Sequence, residues 1–232
     1  MDSMPRTVAL IGIDGSGKTT QAHRLADDLA ASGHHAVYRR NAGGRHWFGR
    51  LAPRFGRRDG DDLLGEKGML LAESVLRWLS LLRTLLRRLV TGETAVMDRY
   101  TYCQYASLRA RGGHRSGERR ARLAYRLFPA PDVTFLLAVD PAVAYARIEA
   151  RATDHEEMDY LRAADAAYRS LPESGRFVMI DANGSPDQVA LEIRSRLDLP
   201  QPVPAKRLRM FFALGSLLAG LAAVGYQVLE VW

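Results

Sequence analysis

The sequence predicts a three-layer α/β fold built on a parallel sheet. Five short apolar runs, rich in Val, Leu and Ile and almost free of polar alternation, read as strands covered on both faces. Helical stretches separate these runs in regular alternation, as crossovers between parallel strands require. A glycine-rich segment joins the first run directly to the first helix.

Along the chain, strands are expected at 7–13, 36–40, 95–98, 133–139 and 177–181. The first helix, 18–32, closes at Gly33, a suitable C-cap. A long apolar helix, 66–90, stops before Thr91-Gly92, and 101–111 stops at Gly112-Gly113. Helix 141–152 opens with Asp140-Pro141, a favourable N-cap and first-turn pair. Helices 156–171 and 186–197 complete the set. The arginine-rich segments 43–62 and 112–122 read as surface loops. Residues 1–199 then form one domain. A linker at 200–209 follows, with Pro200, Pro202 and Pro204 extending it. The segment 210–229 carries no charged residue. As a helix it would reach about 30 Å, the thickness of a bilayer's hydrocarbon core. Lys206, Arg207 and Arg209 precede it, a pattern that keeps the preceding domain cytoplasmic. The expectation is a single-pass C-terminal transmembrane helix, against the alternative of a helix packed on protein.

Composition narrows the classes. With 232 residues, 47% hydrophobic and 25% charged, the chain is neither disordered nor collagen-like. Its single cysteine, Cys103, excludes an internal disulfide framework and a Cys-rich zinc site. The net charge is +7, but only three of the 33 basic residues are lysine. Such Arg enrichment reads as a coding bias, so no nucleic-acid partner is inferred from it. The histidines are scattered without metal-ligand spacing.

Chemistry concentrates in two places. Gly12, Ile13, Asp14, Gly15, Ser16, Gly17, Lys18 and Thr19 fit G-x-x-x-x-G-K-[ST] between a strand and a helix, the context that identifies a phosphate-binding P-loop. Backbone N–H groups and the helix N-terminus cradle phosphate, Lys18 supplies a mobile cation, and Thr19 offers a hydroxyl to Mg²⁺. The fold class sharpens to a three-layer P-loop NTPase fold. In Val96-Met97-Asp98-Arg99-Tyr100, Asp98 ends a buried strand, where open α/β sheets bind ligands. Its carboxylate suits Mg²⁺ and Arg99 suits a phosphate, with a structural ion pair as the alternative.

On these residues the chain resembles the thymidylate kinases, within the nucleoside monophosphate kinases, over residues 8–197. Gly-Ile-Asp-Gly-Ser-Gly-Lys-Thr-Thr-Gln, ending in Thr20 and Gln21, is similar to that family's P-loop, and Asp98-Arg99-Tyr100 to its second motif. Pro131-Asp132-Val133, Leu137 to Pro141, and Ile180 to Pro186 are similar to its later strands and adenine-side loop. Arg40 to Gly44 stands at its Arg-Glu-Pro-Gly-Gly element, with Asn41 and Ala42 where the family has Glu and Pro. The resemblance implies that residues 12–20 bind ATP and that Thr19 and Asp98 hold Mg²⁺. It places Asp14 between donor and acceptor phosphates. Arg40, Arg77 and Arg99 would hold the acceptor, while Arg147 and Arg151 would close from a lid. It implies ATP plus dTMP giving ADP plus dTDP as the default reaction. The departures lie on the acceptor side. Glu73 stands where the family stacks an aromatic on thymine. Residues 103–107 match its base-reading segment poorly, and Asp165 replaces an arginine. A different phosphate- or hydroxyl-bearing acceptor, or a non-catalytic nucleotide-binding module at a membrane, are the alternatives. A homodimer is compatible with all of them.

Overall fold

The computed structural model describes residues 5–41, 45–58, 60–112, 115–151 and 156–199. The strands are β1 (Thr7–Ile11), β2 (Ala36–Arg40), β3 (Thr94–Asp98), β4 (Val133–Ala138) and β5 (Val178–Asp181). They form one parallel sheet in the order β2-β3-β1-β4-β5. All five residues of β1 are buried, as befits the central strand, whereas edge strand β2 is only partly covered. The helices are α1 (Lys18–Ala31), α2 (Arg45–Leu51), α3 (Gly60–Thr91), α4 (Thr101–Ala110), α5 (Arg115–Tyr125), α6 (Pro141–Arg151), α7 (Met158–Ser170) and α8 (Pro186–Arg196). The expected α/β architecture with a parallel sheet is present.

Several boundaries differ for identifiable reasons. β1 ends at Ile11 because Gly12, at φ 143°, turns the chain into the phosphate loop. The expected loop 43–62 contains α2, a short 3-10 turn at Ala52–Phe55 and the start of α3. Gly65, at φ 71° and ψ 158°, interrupts α3. The expected loop 112–122 is largely α5. Its Glu118 accepts hydrogen bonds from Arg109 and Arg122, and Arg122 also pairs with Glu173, so charge pairing adds to the packing of buried Tyr125 in holding this helix. Ser185 and Gln188 form a capping box at the start of α8.

The described residues 5–198 belong to one compact unit. The expected linker at 200–209 and apolar segment at 210–229 lie outside the described residues. Among the described residues, no helix is long and apolar enough to cross a membrane.

Candidate active site

The sheet order dictates where the site lies. β1 runs between β3 and β4, and pairing sets Leu10 beside Asp98 and Asp98 beside Arg40. The carboxyl ends of three adjacent strands therefore carry the P-loop, the Asp98-Arg99 turn and Arg40. They open on a cavity of about 1060 Å³ that α3, α4 and α7 also line.

Residues 12–17 form the tight connection into α1. Gly15 sits at φ 82°, where a Cβ would fall 2.5 Å from the Ala144 carbonyl oxygen, so both conformation and space demand glycine. Lys18 is buried, and its Nζ donates to the Ile13 carbonyl at 2.6 Å. The same ammonium is 3.6 Å from the Asp14 carboxylate. Ser16 is buried beside it, and Thr19 and Thr20 line the cavity.

Arg99 is the second cation at Asp14, donating to Oδ1 through Nη2. Burial pushes the Asp14 carboxyl upward, but the charges of Arg99 and Lys18 outweigh it and hold the group well below the usual carboxylate range. Burial in turn lowers the Lys18 pKa, against the opposing pull of Asp14. Asp14 raises that of Arg99. The carboxylate thus keeps two mutually repelling cations together where phosphates would bind.

The Arg99 backbone is in the left-handed region, φ 77°, which is costly for any residue that carries a Cβ. Asn41, fully buried, braces this turn. Its backbone N–H donates to the Asp98 carbonyl, and its Nδ2 donates to the Arg99 carbonyl at 3.0 Å. Thr84 of α3 donates to Asn41 Oδ1 at 3.0 Å.

Asp98 Oδ2 accepts from Thr19 Oγ1 at 2.6 Å and from Tyr38 Oη at 3.1 Å. Its Oδ1 is buried without a hydrogen-bond partner. Burial and the neighbouring Asp98 charge push the Tyr38 hydroxyl up to about 12, so it stays a donor at neutral pH. The Thr19 hydroxyl and the Asp98 carboxylate, whose Oδ1 is bare, are a donor set that fits a hydrated divalent cation.

The opposite wall comes from helices. Arg77 donates to Gln104 Oε1 at 2.8 Å, and Gln104 Nε2 donates to Ser74 at 2.7 Å, so α3 and α4 are tied across the wall. Arg77 Nε is buried without a partner. Glu73 lies one turn earlier, 9% exposed, and also lines the cavity. Trp47, Tyr160 and Tyr168 are its aromatic lining. Trp78 instead donates to the Ala124 carbonyl and packs on Phe128, and Tyr102 packs among Tyr100, Tyr105 and Phe177.

The structure brings together residues 12–15 and 17–20, Arg40, Glu73, Arg77, Asp98, Arg99 and Arg151 at one cavity. Arg147 stands apart. It donates to the carbonyls of Ala182, Asn183 and Gly184, fastening α6 to the loop after β5. Sequence reasoning missed Tyr38, the brace at Asn41 and the link through Gln104. A tyrosine two residues before the end of β2 was the available signal for the first.

A family model described as Thymidylate kinase matches residues 11–193. Among curated relatives, the probable thymidylate kinase of Archaeoglobus fulgidus is 28% identical over 193 residues, covering 82% of this chain and 94% of the relative. The thymidylate kinase of Jannaschia sp. is 30% identical over 204 residues, covering 82% and 95%. That of Bordetella petrii is 30% identical over 226 residues, covering 88% and 100%.

Proposed function

Since the chain belongs to the thymidylate kinase family, we propose that it transfers the γ-phosphoryl group of ATP to thymidine monophosphate, giving ADP and thymidine diphosphate. The observation that carries this reading is the Lys18–Asp14–Arg99 triad at the meeting point of the P-loop and the β3 turn.

The P-loop amides and Lys18 bind the donor phosphates. Arg99, with Arg40 and Arg77 on the same cavity, orients the acceptor phosphate. Asp14 keeps Lys18 and Arg99 close before substrates arrive. Phosphate oxygens then take over part of its hydrogen bonding. The acceptor is already an anion, so no side chain must remove a proton. Catalysis is positioning and neutralisation of charge. Thr19 and Asp98 would hold Mg²⁺, which when bound neutralises charge on the donor phosphates. Arg151 reaches the cavity from the end of α6 and closes its rim. Arg147 acts on the loop after β5, which it holds by three carbonyls.

The test is ADP release from ATP and Mg²⁺ across a panel of nucleoside monophosphates, with the product identified by mass. Turnover with thymidine monophosphate supports the reading, and turnover with none of the panel overturns it.

Two further parts of the reading concern where the enzyme works. The uncharged segment 210–229 behind its basic collar supports a single-pass tether with the kinase domain on the cytoplasmic side. Membrane fractionation resistant to carbonate tests it, and release by carbonate argues against it. Self-association is supported by α3, whose side opposite the cavity exposes Leu71, Val75, Leu79 and Leu86. Light scattering of a chain ending at residue 204 tests that separately.

A further inference from the structure

We infer that Tyr38 is a positioning residue for the magnesium site, fixing which oxygen of Asp98 is presented to the cation and its water shell. The inference rests on the kinase reading above. Two donors converge on one carboxylate oxygen: Tyr38 Oη at 3.1 Å and Thr19 Oγ1 at 2.6 Å, both on Oδ2. The other oxygen, Oδ1, is buried and has no hydrogen-bond partner. A buried acceptor left bare in a cavity wall is where water or a cation binds with most gain. With Thr19 alone, the carboxylate can rotate about its Cβ–Cγ bond and exchange its oxygens. A second donor on Oδ2 removes that freedom and commits Oδ1 to the ligand.

The placement of Tyr38 suits this task. Pairing of β2 with β3 sets Tyr38 beside Val96 and Arg40 beside Asp98, so the phenol lies one pleat back and reaches forward to the carboxylate. His23 stacks on the ring, with centroids 3.6 Å apart and planes at 21°. His23 belongs to α1, the helix whose first turn carries Thr19. Both donors to Oδ2 are therefore referenced to one rigid element, although one of them is on β2.

A phenol placed only for packing would lose nothing with its hydroxyl, so Tyr38→Phe separates the two roles. In the full-length chain with ADP present, Mn²⁺ binding is titrated from the electron paramagnetic resonance signal of free Mn²⁺. The half-saturating Mg²⁺ concentration is measured in steady-state phosphoryl transfer. Both quantities should rise roughly tenfold or more in Tyr38→Phe, the size expected for losing one hydrogen bond to a charged group. His23→Ala should shift both in the same direction by less, and His23→Phe, which restores a stacking face, should return them toward wild type. Wild-type Mn²⁺ affinity in Tyr38→Phe overturns the inference. A wild-type chain that transfers phosphate to no acceptor overturns the kinase reading instead, and the Mn²⁺ titration still decides the role of Tyr38.

Discussion

The two walls of the cavity are built differently. The phosphate wall hangs on strand ends and backbone. Lys18 is held by a carbonyl, Arg99 by its backbone N–H on the Leu10 carbonyl, and Asp98 by a β-strand register shared with its neighbours. The acceptor wall hangs on side chains from separate helices, with Arg77, Gln104 and Ser74 linked to one another across α3 and α4. A wall set by backbone tolerates little change in chemistry, because its geometry is inherited from the sheet. A wall set by side chains can be rewritten one residue at a time. Two departures from the family pattern, Glu73 and residues 103–107, fall on the second wall; Asp165 lies on α7, and Asn41, where the family has Glu, instead braces the first.

That contrast can be tested by substitution on each side. The largest effect is expected on the phosphate wall. Lys18→Ala removes a buried cation that follows charge onto the transferred group, and kcat should fall by about two orders of magnitude or more with the fold intact. Circular dichroism together with the ADP-release assay checks this. Next comes Arg77→Lys, which keeps the charge but loses the fork that grips Gln104. Its KM for the acceptor should rise about tenfold while the KM for ATP barely moves. Glu73→Phe should have a smaller effect in the opposite direction, lowering the KM for thymidine monophosphate a few-fold. It removes a carboxylate from an anion site and adds an aromatic face. An unchanged KM would assign base contact to Trp47, Tyr160 or Tyr168.

The smallest effect concerns pH. Asp14 has a folded pKa held below its ordinary value of 3.8, so its ionised form stabilises the native state. That contribution is fully present above about pH 4 and is lost as pH falls toward the lower folded pKa. The stability gap between wild type and Asp14→Asn should be constant from about pH 5 to 8 and shrink below about pH 4. Urea midpoints at several pH values measure it.

The same contrast decides how much the sequence reveals. The P-loop and Asp98 are legible because a contiguous motif between a strand and a helix carries its own geometry. The acceptor wall joins residues about thirty positions apart through helix packing, which leaves no local signature. Arg77 is recognisable from its spacing before Asp98, but its bond to Gln104 is not. Arg147 illustrates the limit. Its position on α6 is predictable, yet its guanidinium is drawn to three carbonyls beyond β5 that only the folded loop brings together. α5 was hidden for a related reason, since the partners of Glu118 and Arg122 include Arg109 and Glu173 on other elements.

The sheet order has a consequence for synthesis on the ribosome. The first two strands to emerge, β1 and β2, never touch, because β3 lies between them. Thr7 of β1 pairs with Ala95, and Ala36 of β2 pairs with Thr94, so neither strand has a parallel neighbour until β3 has left the exit tunnel. Until then the nascent chain holds a complete phosphate-loop sequence with no sheet to shape it, and the bare apolar edges of β1 need protection from association. Arrival of β3 closes both pairings at once and delivers Asp98 to Thr19 in the same event. Nucleotide-binding competence in the growing chain should therefore switch on abruptly rather than accumulate.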